Sequence, residues 1–331
     1  MRKIMIMTAV LLIFGTAETI TADAEEDPEQ DVYAERMALF KNMETVTHIP
    51  WYWLAGADAY ERGIRRAGNE REEAEGVISI YYSPKEWSGP LNPEFDAENP
   101  VAVSMFNGVG LDGNGNGTAS LSEDADVLYT FADYLSGYGY DDNNIRKGLW
   151  DYYKRDQAVR SITNHARIYR KYGTLDLDDH AFPVPLRYNY SYNSTWGDSR
   201  GWGGRRIHEG TDIFADYRTP VLATSYGVVE LTGWNKYGGW RLGIRDLTNT
   251  YHYFGHLTSY EEGLEKGDIV APGDTIGYVG SSGYGPPGTE GKFPPHLHYG
   301  MYRDNGYSEW SFDPYPSLKS WEKQAKKDAS A

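Results

Sequence analysis

From residue 219 onward the chain is cut into short apolar segments, and no helix of ordinary length fits between the cuts. The segments are 221–224, 227–231, 240–244, 251–257, 268–270 and 275–279, with Gly-rich or Asn-rich breaks between them. Runs of this length, rich in β-branched and aromatic residues and bounded by turn formers, read as strands. This half is therefore expected to be all-β, an antiparallel sheet. Within it, Phe293 to Met301 reads Phe-Pro-Pro-His-Leu-His-Tyr-Gly-Met. Two prolines exclude a helix there, and in a strand His296 and His298 point to one face.

The earlier residues follow a different period. Met37, Leu39, Phe40 and Met43 recur at helical spacing. Residues 49–67 follow, with Pro50 at the start and Gly68 at the end, then Val127, Leu128, Phe131 and Leu135 on one stripe. Residues 144–172 read as one further helix through Ile145, Leu149, Tyr152, Val159, Ile162 and Tyr169, closed by Gly173. Residues 76–110, richer in Ser, Pro and Asn, read as an irregular insertion.

The expected organisation is thus two domains, the first mostly α (33–173) and the second all-β (188–318). An acidic linker covers 25–32, a second linker with Pro183 and Pro185 covers 174–187, and a charged tail, expected as a frayed helix, covers 319–331. Residues 1–24 read as an export signal, with Arg2 and Lys3 before an apolar run at 4–14 and Ala22-Asp23-Ala24 as a small-x-small cleavage site. The apolar run is too short for a comfortable membrane span, and a short uncut anchor is the alternative.

Composition narrows the chemistry. The 331 residues contain no cysteine, which removes disulfides, thiolate metal sites and cysteine nucleophiles together. A formal net charge of -16 argues against nucleic acid and against an anionic membrane surface as partner. The 28 tyrosines suit half-buried strands or a carbohydrate or peptide groove.

Two constellations carry candidate chemistry. Asp112-Gly-Asn-Gly-Asn-Gly117 followed by Glu123 matches the calcium-loop spacing D-x-[DN]-x-[DN]-G-x5-E. Oxygens of Asp112, Asn114, Asn116 and Glu123 and the Thr118 carbonyl would surround one hard cation, with modest affinity because two early ligands are neutral Asn. The second constellation is spread over three segments of the β half: His208-Glu-Gly-Thr-Asp212, Tyr251-His-Tyr-Phe-Gly-His256-Leu257, and His296-Leu-His298. Five of the eight histidines fall in this half. A zincin His-Glu-x-x-His is absent, since position 212 is Asp. The spacing leaves both His252 and His256, four apart in a strand, as candidates on one face.

These three segments, in this order, resemble the M23 (lysostaphin/LytM-type) family of zinc endopeptidases, whose pattern is His-x-x-x-Asp, a Tyr-x-His-Leu-like strand, and His-x-His. Thr219-Pro-Val221, Gly227-Val-Val229, 270–277, Gly280-Ser-Ser-Gly283 and Asp313-Pro314 extend the likeness over a whole domain. The two-domain layout with Tyr188-Asn-Tyr-Ser-Tyr192 is similar to sporulation-associated L-Ala-D-Glu endopeptidases of Bacillus-type bacteria. The resemblance implies that His208, Asp212 and His298 bind Zn²⁺, that His296 acts as general base, and that His256 hydrogen-bonds the water or the oxyanion. It further implies an exported enzyme of a Gram-positive-type cell wall, spore-associated, whose partner is peptidoglycan stem peptide or crosslink. The 280–291 turns and the 188–192 strand are expected to border its groove.

The first domain resembles the lysozyme-like domains of lytic transglycosylases through Ile49-Pro-Trp-Tyr-Trp-Leu-Ala55, the Asp112 loop followed by Asp124-Ala-Asp-Val-Leu-Tyr129, and Leu149-Trp-Asp-Tyr-Tyr153. Glu61 matches the family's acid, but Arg62 stands where the family has Ser, and no Gly-Leu-Met-Gln-like segment follows. The favoured reading is a helical domain that positions the enzyme on cell-wall polymer. Added glycan cleavage by Glu61 is one alternative, and a non-catalytic wall-binding scaffold is the other.

Overall fold

Helical periodicity in the first half becomes, among the described residues, seven helices packed on one another. The structure, a computed structural model, describes residues 28–68, 76–94, 97–201 and 206–330. The expected export signal at 1–24 lies outside the described residues. The helices are α1 (Pro28–Thr47), α2 (Trp51–Arg66), α3 (Pro84–Ser88), α4 (Pro100–Met105), α5 (Asp124–Ser136), α6 (Asp142–Tyr153) and α7 (Asp156–Tyr172). Their apolar stripes meet in one core that includes Phe40, Leu54, Leu128, Phe131, Leu149 and Ile162, each 0–1% exposed. Among the described residues no helix is long and apolar enough to cross a membrane.

Three expectations are corrected here. The helix expected over 144–172 is two helices, because Lys154 takes a left-handed φ of 50° and Arg155 is extended at φ -144°. The 76–110 segment is packed rather than an insertion: Ile78, Ile80, Tyr82 and Trp87 are buried in the helical core. Two carboxylates at the start of α5 secure what surrounds them. Asp124 accepts the Val77 and Ile78 N–H groups (2.8 and 3.0 Å), and buried Asp126 accepts those of Gly113 and Ser120 (2.7 and 2.8 Å). Lastly, α1 begins at Pro28, inside the stretch expected as an acidic linker.

The second half is the expected antiparallel sheet: β1 (Tyr190–Tyr192), β2 (Ser199–Arg200), β3 (Arg206–Ile207), β4 (Thr211–Ala215), β5 (Pro220–Leu222), β6 (Gly227–Asn235), β7 (Gly239–Asp246), β8 (Tyr251–Tyr260), β9 (Ile269–Val270), β10 (Thr275–Val279), β11 (His296–Asp304) and β12 (Glu309–Phe312), then α8 (Tyr315–Asp328). The order across the sheet is β1-β4-β11-β8-β7-β6-β9, with β10 joining β8 to β5, and β12 pairing with β11. β2 and β3 form a separate two-stranded sheet. Ile213, Leu242, Phe254, Leu297 and Tyr299 fill the core behind the sheet.

The segments expected as linker and tail are both docked. Leu175 and Leu177 belong to the helical core, while Phe182 and Val184 belong to the sheet core. In α8, Leu318 is buried and Glu322 takes hydrogen bonds from the Tyr190 and Tyr192 hydroxyls (2.7 and 2.6 Å). Those tyrosines therefore face α8 and Phe182, not the groove they were expected to border.

The helices also grip the sheet. Arg155, freed by the break after α6, donates to buried Asp304 at the end of β11 (2.6 Å) and to the Tyr60 hydroxyl (3.2 Å). Asn249, at the tip of the β7–β8 hairpin, bonds Asp304 (3.3 Å) and accepts from Ser161 of α7 (2.7 Å). The strand that starts at His296 is thus anchored by the helical half at its far end.

Candidate active site

Strand pairing brings the three histidine segments together. β11 lies between β4 and β8, with His298 opposite Asp212 on one side and Gly255 on the other, and His296 opposite Phe214. Side chains directly opposite share a face, so His296, His298 and Asp212 look out together while Leu297 and Tyr299 face the core. His208, just before β4, completes the cluster: its Nε2 is 2.8 Å from His298 Nδ1 and 3.0 Å from Asp212 Oδ1, which is itself 3.0 Å from His298 Nδ1.

His256 reaches the same cluster by a backbone irregularity. Between paired positions, Leu242 to Trp240 in β7 spans fewer residues than Phe254 to Leu257 in β8, so β8 carries one extra residue. That residue set is a β-bulge, and His256 within it has a positive φ of 62°. An extra residue reverses the strand's alternation. His252 and His256 therefore face opposite sides, against the expectation from their spacing. His252 is buried behind the sheet, bonded to Tyr299 Oη (2.7 Å) and Asp246 Oδ2 (3.0 Å). The ring centroid of His256 lies 4.8 Å from that of His296 and 5.9 Å from that of His298.

Hydrogen bonds to carbonyls assign the tautomers. A carbonyl only accepts, so the nitrogen bonded to it carries the proton. His208 Nδ1 meets Thr195 O (2.8 Å), His256 Nδ1 meets Ser282 O (2.8 Å), and His296 Nδ1 meets Pro294 O (2.9 Å). In each neutral ring Nε2 keeps a lone pair for the cluster. Burial, joined by the neighbouring His296 and His298, lowers the His256 pKa to about 3, and burial also lowers those of His296 and His298. Burial would raise the pKa of Asp212, but its close contacts with His208 and His298 outweigh it and hold the carboxyl well below its usual range.

The donor set fits a tetrahedral transition metal. Two imidazole nitrogens and a carboxylate oxygen are zinc ligands, and bonds of about 2.0–2.2 Å put tetrahedral ligand atoms roughly 3.3 Å apart, close to the 2.8–3.0 Å found. The outer partners fit as well: ligating histidines characteristically give their other N–H to a carbonyl, as His208 does to Thr195. Asp212 Oδ2 is held by the Arg200 guanidinium at 2.6 Å, which leaves Oδ1 for the cluster. The site opens into a cleft of about 1000 Å³. Phe293, Phe214 and Tyr284 wall the His256–His296 side, with ring separations of 4.7–6.0 Å. The 280–291 turns border the cleft as expected, through Tyr284.

Arg200, Thr195 and Ser282 escaped sequence reasoning in these roles. Two of them act through backbone carbonyls, which carry no residue signature, and Arg200 sits in no recognisable pattern. Glu61 lies apart from this site, within α2, and is 0% exposed. The calcium-pattern loop is in the helical half: Asp112 accepts the N–H groups of Gly115, Asn116 and Gly117 (2.7–3.2 Å), and Asn114 and Asn116 donate to Glu123.

Comparison with known proteins agrees with this geometry. Residues 206–310 match the model of peptidase family M23. The chain is 54% identical to the L-Ala--D-Glu endopeptidase of Bacillus subtilis over 321 residues, covering 97% of this chain and 98% of that one. It is 34% identical to lysostaphin of Staphylococcus staphylolyticus over 116 residues, covering 34% of this chain and 22% of lysostaphin. The crystallised catalytic domain of lysostaphin from Staphylococcus simulans is 29% identical, covers 43% of this chain and 99% of its own, and has a TM-score of 0.34. With a relative this similar over almost its whole length, and the family pattern intact from His208 to His298, the chain belongs to peptidase family M23.

Proposed function

We propose that this protein is a zinc-dependent endopeptidase of bacterial peptidoglycan that cuts the stem peptide between L-Ala and D-Glu. The observation that carries the reading is the convergence of His208 Nε2, Asp212 Oδ1 and His298 Nδ1 beside two further imidazoles whose Nε2 lone pairs face one cleft. M23 peptidases are zinc-dependent, and the bond is the one named for the Bacillus subtilis relative. His208, Asp212 and His298 would hold Zn²⁺, which when bound polarises the scissile carbonyl and lowers the pKa of water to about 7.

The chain's own residues supply the rest. His296 Nε2 takes the proton of the attacking water and returns it to the leaving amine. His256, with its proton fixed on Nδ1 by Ser282 O, presents Nε2 as an acceptor. It therefore orients the water, rather than donating to the oxyanion while it stays neutral. Phe293 and Phe214 restrict solvent around His296. The basic start and apolar run of residues 1–24 support export to the wall, and the likeness to sporulation-associated enzymes supports a role in the spore.

The test is mass spectrometry of products from defined muropeptides, together with zinc content of the purified protein. Products ending in L-Ala and beginning with D-Glu are expected, and His208→Ala and His298→Ala should release none. Unchanged peptide release by either variant would refute the zinc mechanism, and no release by the zinc-loaded protein would favour a non-catalytic scaffold. Burial of Glu61 argues against added glycan cleavage, because a sugar cannot reach a carboxyl closed to solvent.

A second metal reading concerns Asp112, Asn114, Asn116, Thr118 and Glu123, for which we propose a weak calcium site. Gly117, at the sixth position, has the positive φ of 93° that the loop's sharp turn needs, and Glu123 already meets both Asn side chains. Calorimetric titration with Ca²⁺ should show one site that Glu123→Gln weakens; no heat with the wild type would end this reading.

A further inference from the structure

The cleft is richer in cations than the protein around it. The chain carries -16 overall, yet Arg200, Arg206 and Lys292 line the cleft against Glu209 and Asp212. Arg200 is engaged by Asp212 at 2.6 Å. The other two cations converge on one residue. Arg206 Nη2 donates to the Tyr284 hydroxyl (3.3 Å), and Lys292 Nζ donates to the Tyr284 carbonyl (2.7 Å). The Tyr284 ring in turn stacks on His256, centroids 6.0 Å apart and planes 20° apart. The Arg206 guanidinium also lies over the Tyr237 ring, 5.0 Å from its centroid. Two positive side chains thus hold, at its hydroxyl and its carbonyl, the residue that stacks on an imidazole of the candidate active site.

The proposed substrate has a matching charge. Cutting between L-Ala and D-Glu leaves Glu on the amine side of the bond. Glutamate has two carboxyl groups and only one continues the chain as an amide. The other is a free carboxylate a few bonds from the scissile nitrogen, whichever of the two it is. A planar guanidinium pairs with a carboxylate through two parallel hydrogen bonds, and an ammonium adds a mobile point charge.

We propose that Arg206 and Lys292 bind this free carboxylate and set the preference for an unamidated Glu next to the scissile bond. The inference rests on the L-Ala-D-Glu reading above and adds the residues that choose the substrate. Tyr237 and Tyr284 orient the two cations, and the 280–292 loop thereby carries specificity as well as a wall of the cleft.

The experiment compares two muropeptides that differ only in that group, carboxylate against carboxamide, with the full-length zinc-loaded protein. Wild type should cleave the carboxylate substrate with about tenfold higher kcat/KM, a preference of the size two partly screened charge pairs supply. It should shrink as ionic strength rises. In Arg206→Gln/Lys292→Gln the ratio should fall to about one, through the carboxylate substrate alone. Arg206→Lys/Lys292→Arg should keep the preference, which a merely structural role would not predict. Cleavage of the L-Ala-D-Glu bond with no preference in wild type, or with the preference retained in the Gln variant, overturns this inference and leaves the function standing. Cleavage at another bond overturns both.

Discussion

Gly210→Ala tests the metal site without replacing a ligand. Gly210 lies two residues before Asp212, and its φ is outside the left-handed region, so alanine is acceptable to the backbone. Space is the obstacle. A Cβ there would stand 2.6 Å from the Tyr299 carbonyl oxygen, 2.7 Å from His298 Cε1 and 2.9 Å from His298 Nε2. Tyr299 is paired with Thr211 across the β4–β11 ladder, so its carbonyl has little room to move. The carbonyl contact therefore strains the backbone, and the imidazole must retreat as well. Reaching ordinary contact takes a retreat of roughly 0.5–0.7 Å, against a tolerance of about 0.2 Å for a metal–ligand bond. Disturbing the support of one ligand typically costs about 10–100-fold in metal affinity, or about 1.4–2.8 kcal/mol. Competition with a chromogenic chelator should therefore show zinc affinity reduced by that factor, and peptide release at limiting zinc should fall in step. Urea unfolding of the metal-free protein measures the backbone share of the strain, from the Tyr299 carbonyl, separately. Wild-type zinc affinity in Gly210→Ala would refute the placement of His298 as a ligand, and a loss of metal-free stability that accounts for the whole effect would move the strain into the backbone.

Four other outcomes follow from the packing. His256→Ala should lower peptide release by roughly 10²–10³-fold, as loss of one positioned polar group at a reacting centre does, and leave zinc content intact. His252→Ala should instead strip Asp246 of a buried partner and lower Tm without loss of zinc; the opposite assignment would refute the bulge argument. Arg155→Ala leaves the Asp304 carboxylate buried without its cation and should destabilise by about 3–5 kcal/mol in urea, whereas a change within error would show that the helical half does not anchor β11. For Glu322, burial raises the pKa, but hydrogen bonds from Lys326, Tyr192 and Tyr190 outweigh it and bring it to about 2 from 4.5. The folded state then holds the proton less tightly than the unfolded one, so the contribution, roughly 3 kcal/mol at most, is complete above about pH 4.5 and lost as pH falls toward 2. Glu322→Gln should flatten Tm against pH in that window, and an unchanged acid limb would refute the assignment.

How much was legible follows from the range of each signal. The helical stripes of α1, α2 and α5 and the strands β6 to β10 were readable because hydrophobic period is a property of neighbouring residues. The donors His208, Asp212 and His298 were readable because their residue types are rare and their local spacings distinctive. The break at Lys154 carried no local mark: the period of Ile145, Leu149, Val159 and Ile162 runs on through it. It makes sense only with Asp304, the partner of Arg155, 149 residues away. The tail is a helix as expected, but its docking carries no local mark either, since Glu322 and Leu318 are explained by Tyr190, Tyr192 and the sheet core.

By itself, then, the sequence determined that one half is helical and the other an antiparallel sheet, and which side chains are able to hold a metal. Tertiary structure decided which histidine joins them. By spacing, His252 and His256 are equivalent positions on one strand face. The extra residue in β8 and the positive φ of His256 send one ring into the cleft and the other into the core. Whether a strand bulges depends on its register with partners from distant parts of the chain, and that information is present only when the sheet is assembled.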